Sequence, residues 1–408
     1  MSEWRECKLG DIADVIGGGT PSTDKKEYWN GVIPWLTPRD LTGYSRTYIS
    51  KGERSISELG LKNSSARILP KGTVLITSRA PIGYVAIAEN PVCTNQGFKS
   101  LVLKENIAFN IFIFYWIKNN VDYLKSVGTG TTFEEISGSV IKNLDILLPP
   151  LLEQRAIAGV LSSLDDKIDL LHRQNKTLEA MAEALFRQWF IEDAPQPSPR
   201  PSPEGRGREE ADEGWGEGKV LDYCLHHKEV VKPQDFPEKL YSHYSIPAFD
   251  NNLNPVLEYG AEIQSNKYTV VSNTLLFSKL NPHRDKRIWL ILDTLGENPV
   301  CSTEFQVVLP KCRKYLFFIY LWLSTTQNYN KIASGVGGTS GSHQRIDPAD
   351  IFNFPCPRVE DSYIESFNII AEPVLMKINK NRIQIRTLEK LRDTLLPKLM
   401  SGEVRVKV

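Results

Sequence analysis

The chain is poor in the residues that build metal, redox and disulfide sites. Its six cysteines, Cys7, Cys93, Cys224, Cys301, Cys312 and Cys356, are scattered and form no CxxC pair. In a chain of 408 residues that pattern points to buried thiols rather than a disulfide framework or a zinc site. The six histidines show neither HExxH nor HxH. His226-His227 are adjacent, and adjacent residues rarely share a face, so no metal is expected. No apolar run reaches the ~18–20 residues of a membrane span. The opening MSEWRECKLG is polar and lacks a signal-peptide core. The expectation is a cytoplasmic protein with no membrane partner.

Net charge is missing too, with 49 Lys+Arg against 49 Asp+Glu. Attraction to nucleic acid must therefore come from local clusters rather than from the whole molecule. Enzyme signatures are likewise absent. Gly17–Ser22 (GGGTPS) lacks the GK[ST] ending of a phosphate loop and reads as a turn. Asn281-Pro282 and Asp347-Pro348 lack the second proline of the amino-methyltransferase motif. There is no GxSxG elbow and no carboxylate cluster with nuclease spacing. Glu134-Glu135 and Asp165-Asp166 read as solvated faces. These absences argue against catalysis by this chain.

What is present begins with ordinary globular composition, 41% hydrophobic and 24% charged. The length calls for two or more domains. Leu147–Phe190 opens on Pro149-Pro150 and continues as a long helix, with Glu153 near its start. Ile157, Leu161, Leu164, Ile168, Leu171, Asn175, Leu178, Ala182, Leu185 and Trp189 alternate by four and three, the period of a coiled-coil seam.

Around this helix the chain repeats itself. Residues 1–150 hold short β-like runs (Thr73–Ser78, Gly83–Ala88, Lys99–Lys104), an aromatic helix block at Phe109–Leu124 and a Gly/Thr loop at Gly128–Thr132. The expected architecture is an α+β lobe with a curved, mostly antiparallel sheet. The helix occupies 151–193. Residues 194–218, with five prolines and many glycines, read as a flexible linker. Residues 219–357 resemble the first lobe: ENPVC occurs at Glu89–Cys93 and again at Glu297–Cys301, the aromatic block recurs at Tyr315–Leu323, and a glycine loop recurs at Gly335–Ser342. A second long helix and a short tail fill 358–408, with its own seam at Phe367, Ala371, Val374, Ile378, Asn381, Ile385, Leu388, Arg392, Leu395 and Leu399.

The two seams should pair antiparallel. Residues 151–193 carry 5 basic and 8 acidic groups, and 363–400 carry 7 and 4, so the helices are complementary. One register sets Leu171 on Ile385, Leu178 on Ile378, Leu161 on Leu395 and Trp189 on Phe367, and it brings Asn175 to Asn381 as the register-fixing pair. It also sets Arg392 on Leu164, where a long arginine can snorkel. Pro373 should kink or interrupt the second helix.

Candidate binding residues lie in the polar loops of the lobes. Arg39, Asp40, Ser78, Arg79, Thr131 and Thr132 stand in the first; Lys279, Arg284, His343, Gln344 and Arg345 in the second. Arginine can bond guanine through two N–H groups, glutamine can do so for adenine, and hydroxyls suit phosphates. Two classes of function remain at this point: a DNA reader, and a scaffold whose duplicated lobes bind proteins. A fused enzyme is a third, weaker option.

The chain resembles the specificity (S) subunits of type I restriction-modification systems. The block from Ile136-Ser137 through IKNLDILLPPLLEQRAIAGVLSSLDDKIDLLHRQNKTLEAMAEALFRQWF carries the likeness, with Thr387–Val404 as its closing motif. Lys8–Asp11 (KLGD), Ile33–Leu41 (IPWLTPRDL) and Thr73–Gly83 (TVLITSRAPIG) fit the target-recognition domains of that family. The long linker and Pro373 depart from it. The resemblance implies two α/β target-recognition domains separated by a pair of antiparallel coiled-coil helices. It implies a non-catalytic reader of double-stranded DNA, with one half of an asymmetric bipartite site per lobe. It also implies two modification (M) subunits that hold S-adenosylmethionine, and restriction (R) subunits that use ATP, so no cofactor is expected in this chain. As a ruler, Ile157 to Trp189 measures roughly 48 Å at about 1.5 Å per residue, or about one to one and a half turns of DNA.

Overall fold

The first long helix, Leu151–Arg187, continues into a π-helical turn at Gln188–Glu192, and the second spans Asp361–Ser401. The computed structural model describes residues 3–44, 46–128, 134–192, 215–292, 296–335 and 344–407. It divides the chain into two units, Met1–Leu170 with Thr387–Val408, and Leu171–Arg386. Each unit is one α+β lobe together with its own length of paired helix.

In the first unit, Ala13–Gly17, Lys99–Leu103, Val74–Ile76, Val85–Ala88 and Tyr48–Ile49 form a five-stranded sheet, in that spatial order. Arg54–Ile56, Trp29–Leu36 and Cys93–Thr94 form a separate three-stranded one. With the antiparallel pair Arg5–Lys8 and Asp145–Leu148, the single curved sheet expected from sequence is three sheets among the described residues, antiparallel except where Tyr48–Ile49 and Cys93–Thr94 pair parallel. The aromatic block is two helices, Asn110–Asn119 and Val121–Ser126, with the chain turning at Asn120. Its residues Phe112 to Ile117 are buried beneath the larger sheet. Fully burying side chains of this kind stabilises by about 1.5–3 kcal/mol each.

The same core takes in Ile157, Ala158 and Leu161 of the first helix and Leu399 and Met400 of the second. The second unit repeats the plan. Cys224–His227, Phe305–Pro310, Thr274–Ser278 and Ile288–Ile291 make its four-stranded sheet, and Tyr315–Ser324 is the apolar helix. Phe186 and Ala182 meet Phe367, Ala371, Val374 and Ile378 in one core. The repeat extends to local bonds: the Lys8 N–H donates to Asp11 Oδ2 at 2.9 Å, and the Lys219 N–H to Asp222 Oδ2 at 3.0 Å.

The helix seams run antiparallel in each unit. Asn381 Nδ2 donates to Asn175 Oδ1 at 2.9 Å, and Trp189 lies 5.7 Å from Phe367, ring centre to ring centre. Three expectations need correcting. The second helix is unbroken at Pro373. The carbonyl that Pro373 leaves without its helical donor belongs to Ile369, a residue 76% exposed, so water can take it. Arg392 does not merely snorkel past Leu164: it bonds Asp165 at 2.7 Å, and Asp165 accepts the Tyr115 hydroxyl at 2.8 Å. Asp165 is thus a largely buried anchor between lobe and helices rather than a solvated residue.

The third correction concerns the linker. Its last residues are folded. The Arg358 N–H donates to Gly216 O at 2.8 Å, the Cys356 N–H to Gly218 O at 2.9 Å, and Trp215 packs on Phe190 and Tyr363. Trp215, Gly216 and Gly218 are therefore part of the second folded unit rather than of a free linker.

Candidate nucleic-acid interface

Both lobes bring the end of a central strand, a tight turn and the segment after the glycine loop to one edge. In the first lobe the strand end is Ser78-Arg79. The Ser78 N–H donates to Gly97 O at 2.8 Å, and Ser78 O accepts from the Ile136 N–H at 3.0 Å. In the second lobe the Lys279 N–H donates to Glu304 O at 2.9 Å, and Lys279 O accepts from the Ile346 N–H at 3.0 Å. Backbone hydrogen bonds thus fix the same three-segment frame twice.

On the first frame, Arg79 pairs with Glu135 at 3.5 Å, and Lys99 bonds the same carboxylate at 3.0 Å. Exposed Arg39 stands on the turn Pro38–Leu41, and a Cβ at Gly97 would come within 2.9 Å of the Pro38 ring, so this turn lies against the same edge. The Gly17–Ser22 turn joins it. Trp35 Nε1 donates to Gly19 O at 2.9 Å, Trp29 Nε1 to Ser22 O at 3.0 Å, and Thr20 Oγ1 bonds Gln96 Oε1. A Cβ at Gly18 would sit 2.0 Å from Asn95 O, so the close approach needs glycine.

On the second frame Arg345 makes a forked bond to Glu304, Nε to Oε2 at 3.1 Å and Nη2 to Oε1 at 2.8 Å. These bonds raise the Arg345 pKa above its ordinary value. Gln344 O accepts from the Asn281 N–H at 2.8 Å, and Arg284, exposed, closes the following turn through its N–H to Asn281 O. Lys279, Arg284, Gln344 and Arg345 are therefore gathered at one place.

Two candidates leave the set. Ser78 is 0% exposed and its hydroxyl donates to Gly97 O, so it holds the strand end and cannot meet a ligand. Asp40 spends both oxygens on backbone around its turn: Oδ2 accepts from the N–H and hydroxyl of Thr37, which caps the turn, and Oδ1 from the N–H of Glu53, thirteen residues on, at 2.7 Å. Thr131, Thr132 and His343 lie outside the described residues. Sequence reading missed Gln96, Thr20, Lys99, Glu135 and Glu304. In sequence Glu135 reads as a solvated residue, and its two cations, Arg79 and Lys99, come from distant segments that no local pattern connects to it.

Among the described residues, no group of three or more His, Cys, Asp or Glu is placed to hold a metal ion, and no helix is long and apolar enough to cross a membrane. The family model for the type I restriction modification DNA specificity domain matches residues 1–180. The whole chain aligns with the type I restriction enzyme MjaIX specificity subunit of Methanocaldococcus jannaschii, 35% identical over 99% of this chain and 94% of that protein.

The chain belongs to the specificity subunits of type I restriction enzymes. The EcoR124I/EcoR124II specificity subunit of Escherichia coli is 32% identical over 40% of this chain and 41% of its own length. The crystal structure of a type I S subunit from M. genitalium shares the fold, with a TM-score of 0.61 at 15% identity, over 97% of this chain and 96% of that one. The specificity subunit is a non-catalytic DNA-recognition component, which sets aside the scaffold and fused-enzyme readings.

Proposed function

We propose that this specificity subunit reads a bipartite, asymmetric target in double-stranded DNA, one half-site per lobe. The observation that carries this reading is the duplicated three-segment frame bearing different side chains: Arg79, Lys99 and Glu135 in one lobe, Lys279, Arg345 and Glu304 in the other. The same frame fits the same groove geometry, while different donors and acceptors select different bases. Two M subunits dock on the flanks of the helices, because the seams are occupied by each other. S-adenosylmethionine and ATP belong to the M and R subunits, and the complex works in the cytoplasm. The helix pair sets the distance between half-sites.

The test is a lobe exchange. Residues 215–357 are replaced by the corresponding lobe of a relative, the helices are kept, and methylated sites are mapped in cells carrying the M subunits. One half of the target is expected to change while the other half and the spacer persist. A map in which neither half changes ends the half-site reading.

A further inference from the structure

Arg345 and Glu304 are 41 residues apart in sequence and meet because Lys279 grips both segments through its backbone. Glu304 is itself held, its N–H donating to Ser302 Oγ at 3.2 Å. The Arg345 side chain is 46% exposed and Glu304 24%, so the arginine is presented outward and the carboxylate sits behind it. An ion pair this exposed stabilises a fold little. Its effect is to fix an arginine that would otherwise sample many rotamers.

We propose that Arg345 reads one guanine in the half-site of the second lobe, with Glu304 as its positioning residue. The proposal rests on the DNA-recognition reading above. A guanidinium has five N–H donors, and Glu304 takes one on Nε and one on Nη2. The remaining donors include the end-on pair formed by Nη1 and Nη2. That pair matches the O6 and N7 acceptors of guanine in the major groove.

A phosphate contact is the competing role, and the carboxylate decides against it. Phosphate binding draws on net positive charge and counterion release. An arginine neutralised by a forked carboxylate supplies little of either, and Glu304 itself repels a phosphate. Base reading needs orientation instead, which the fork provides.

The first lobe sharpens the assignment. Ile136 and Ile346 occupy equivalent places in the two frames, so Glu135 stands where the second lobe has Arg345. There the carboxylate is the projecting group, flanked by Lys99 and Arg79. The two lobes present opposite charge at one position of a shared frame. Their half-sites should differ at the base pair read from it.

The experiment uses the full chain assembled with its M subunits and three variants, Arg345→Ala, Arg345→Lys and Glu304→Gln. Each complex is competed against duplexes substituted one base pair at a time across the wild-type target, at several salt concentrations, with thermal melting as a check on folding. Arg345→Ala is expected to lose roughly 5- to 150-fold discrimination at one guanine in one half-site, with the salt dependence unchanged. Arg345→Lys loses it too, because charge survives and the fork does not. Glu304→Gln, whose carboxamide accepts on one atom only, falls between. Uniform weakening across all sequences, with the salt slope reduced by about one, makes Arg345 a phosphate contact and overturns the proposal. Unchanged discrimination at every position makes the pair structural and overturns it as well. A wild-type complex that discriminates no duplex sinks the underlying DNA reading instead, whatever the variants do.

Discussion

Asn175 and Asn381 are 7% and 0% exposed, and one hydrogen bond joins them, leaving Asn381 Oδ1 buried without a partner. A half-satisfied pair of this kind specifies register at the expense of stability. Asn175→Leu alone strands the Asn381 carboxamide and should cost about 1–3 kcal/mol. Asn175→Leu with Asn381→Leu removes both polar groups and should match or exceed wild-type stability in thermal melts. Spin labels on the two helices of that unit should then show a broadened distance distribution. A double variant less stable than either single one contradicts this account. His243 gives a pH prediction. Burial holds its imidazole below the ordinary 6.5, outweighing its bond to Glu258, and Lys267 pushes the same way. The unfolded chain therefore binds the extra proton first, and stability falls as pH drops below 6.5. His243→Gln should flatten the fall in melting temperature between about pH 7.5 and 5.5 relative to wild type; an identical fall in both proteins refutes it. The roles of side chains such as Ser78, Asp40 and Asp165 are not legible in the sequence for one physical reason. Their partners, Gly97, Glu53 and Tyr115, are brought to them only by the tertiary fold.

At the scale of the element, the helix pair was the most legible feature, because apolar spacing and packing obey the same period. Ile157, Leu161, Leu171, Ile378 and Ile385 are all buried where the spacing put them. The lobes were less legible, since strand pairing such as Trp35 with Cys93 joins residues far apart and leaves no period behind. One regularity of the second helix lies off the seam. Ile369, Met376 and Ile383 recur every seventh residue and are 76%, 36% and 37% exposed. A stripe of large apolar groups away from the seam suits the docking of a further helix. Replacing all three with Glu should leave melting and helix content intact and weaken assembly with M subunits by at least about a hundred-fold, as expected for burying even one or two such side chains. Analytical ultracentrifugation of the mixed subunits reads this directly, and undiminished assembly removes the stripe from the interface.

At the scale of the molecule, the chain folds its first unit from both ends. Residues 171–386 are contiguous, whereas Met1–Leu170 is completed by Thr387–Val408. The dependence is visible in contacts. Leu399 and Met400 are buried in the first lobe's core, and Arg405 bonds Glu153, which also accepts from Trp4 Nε1 at 3.1 Å. Arg405 and Trp4 together hold the Glu153 carboxyl below its usual range, so this cluster stabilises above the ordinary carboxylate pKa and is lost as pH falls through the lowered one. A fragment of 1–170 alone should fail to fold, and adding 387–408 as a separate peptide should restore it. A fragment of 171–386 should fold by itself, because both halves of its helix seam are internal. In the intact chain, Leu399→Ala should destabilise the first unit by about 2–5 kcal/mol. Hydrogen exchange would then quicken across 1–170 and 387–401 and stay unchanged across 171–386. Uniform quickening along the chain would mean that the two units unfold as one and that the division has no energetic content.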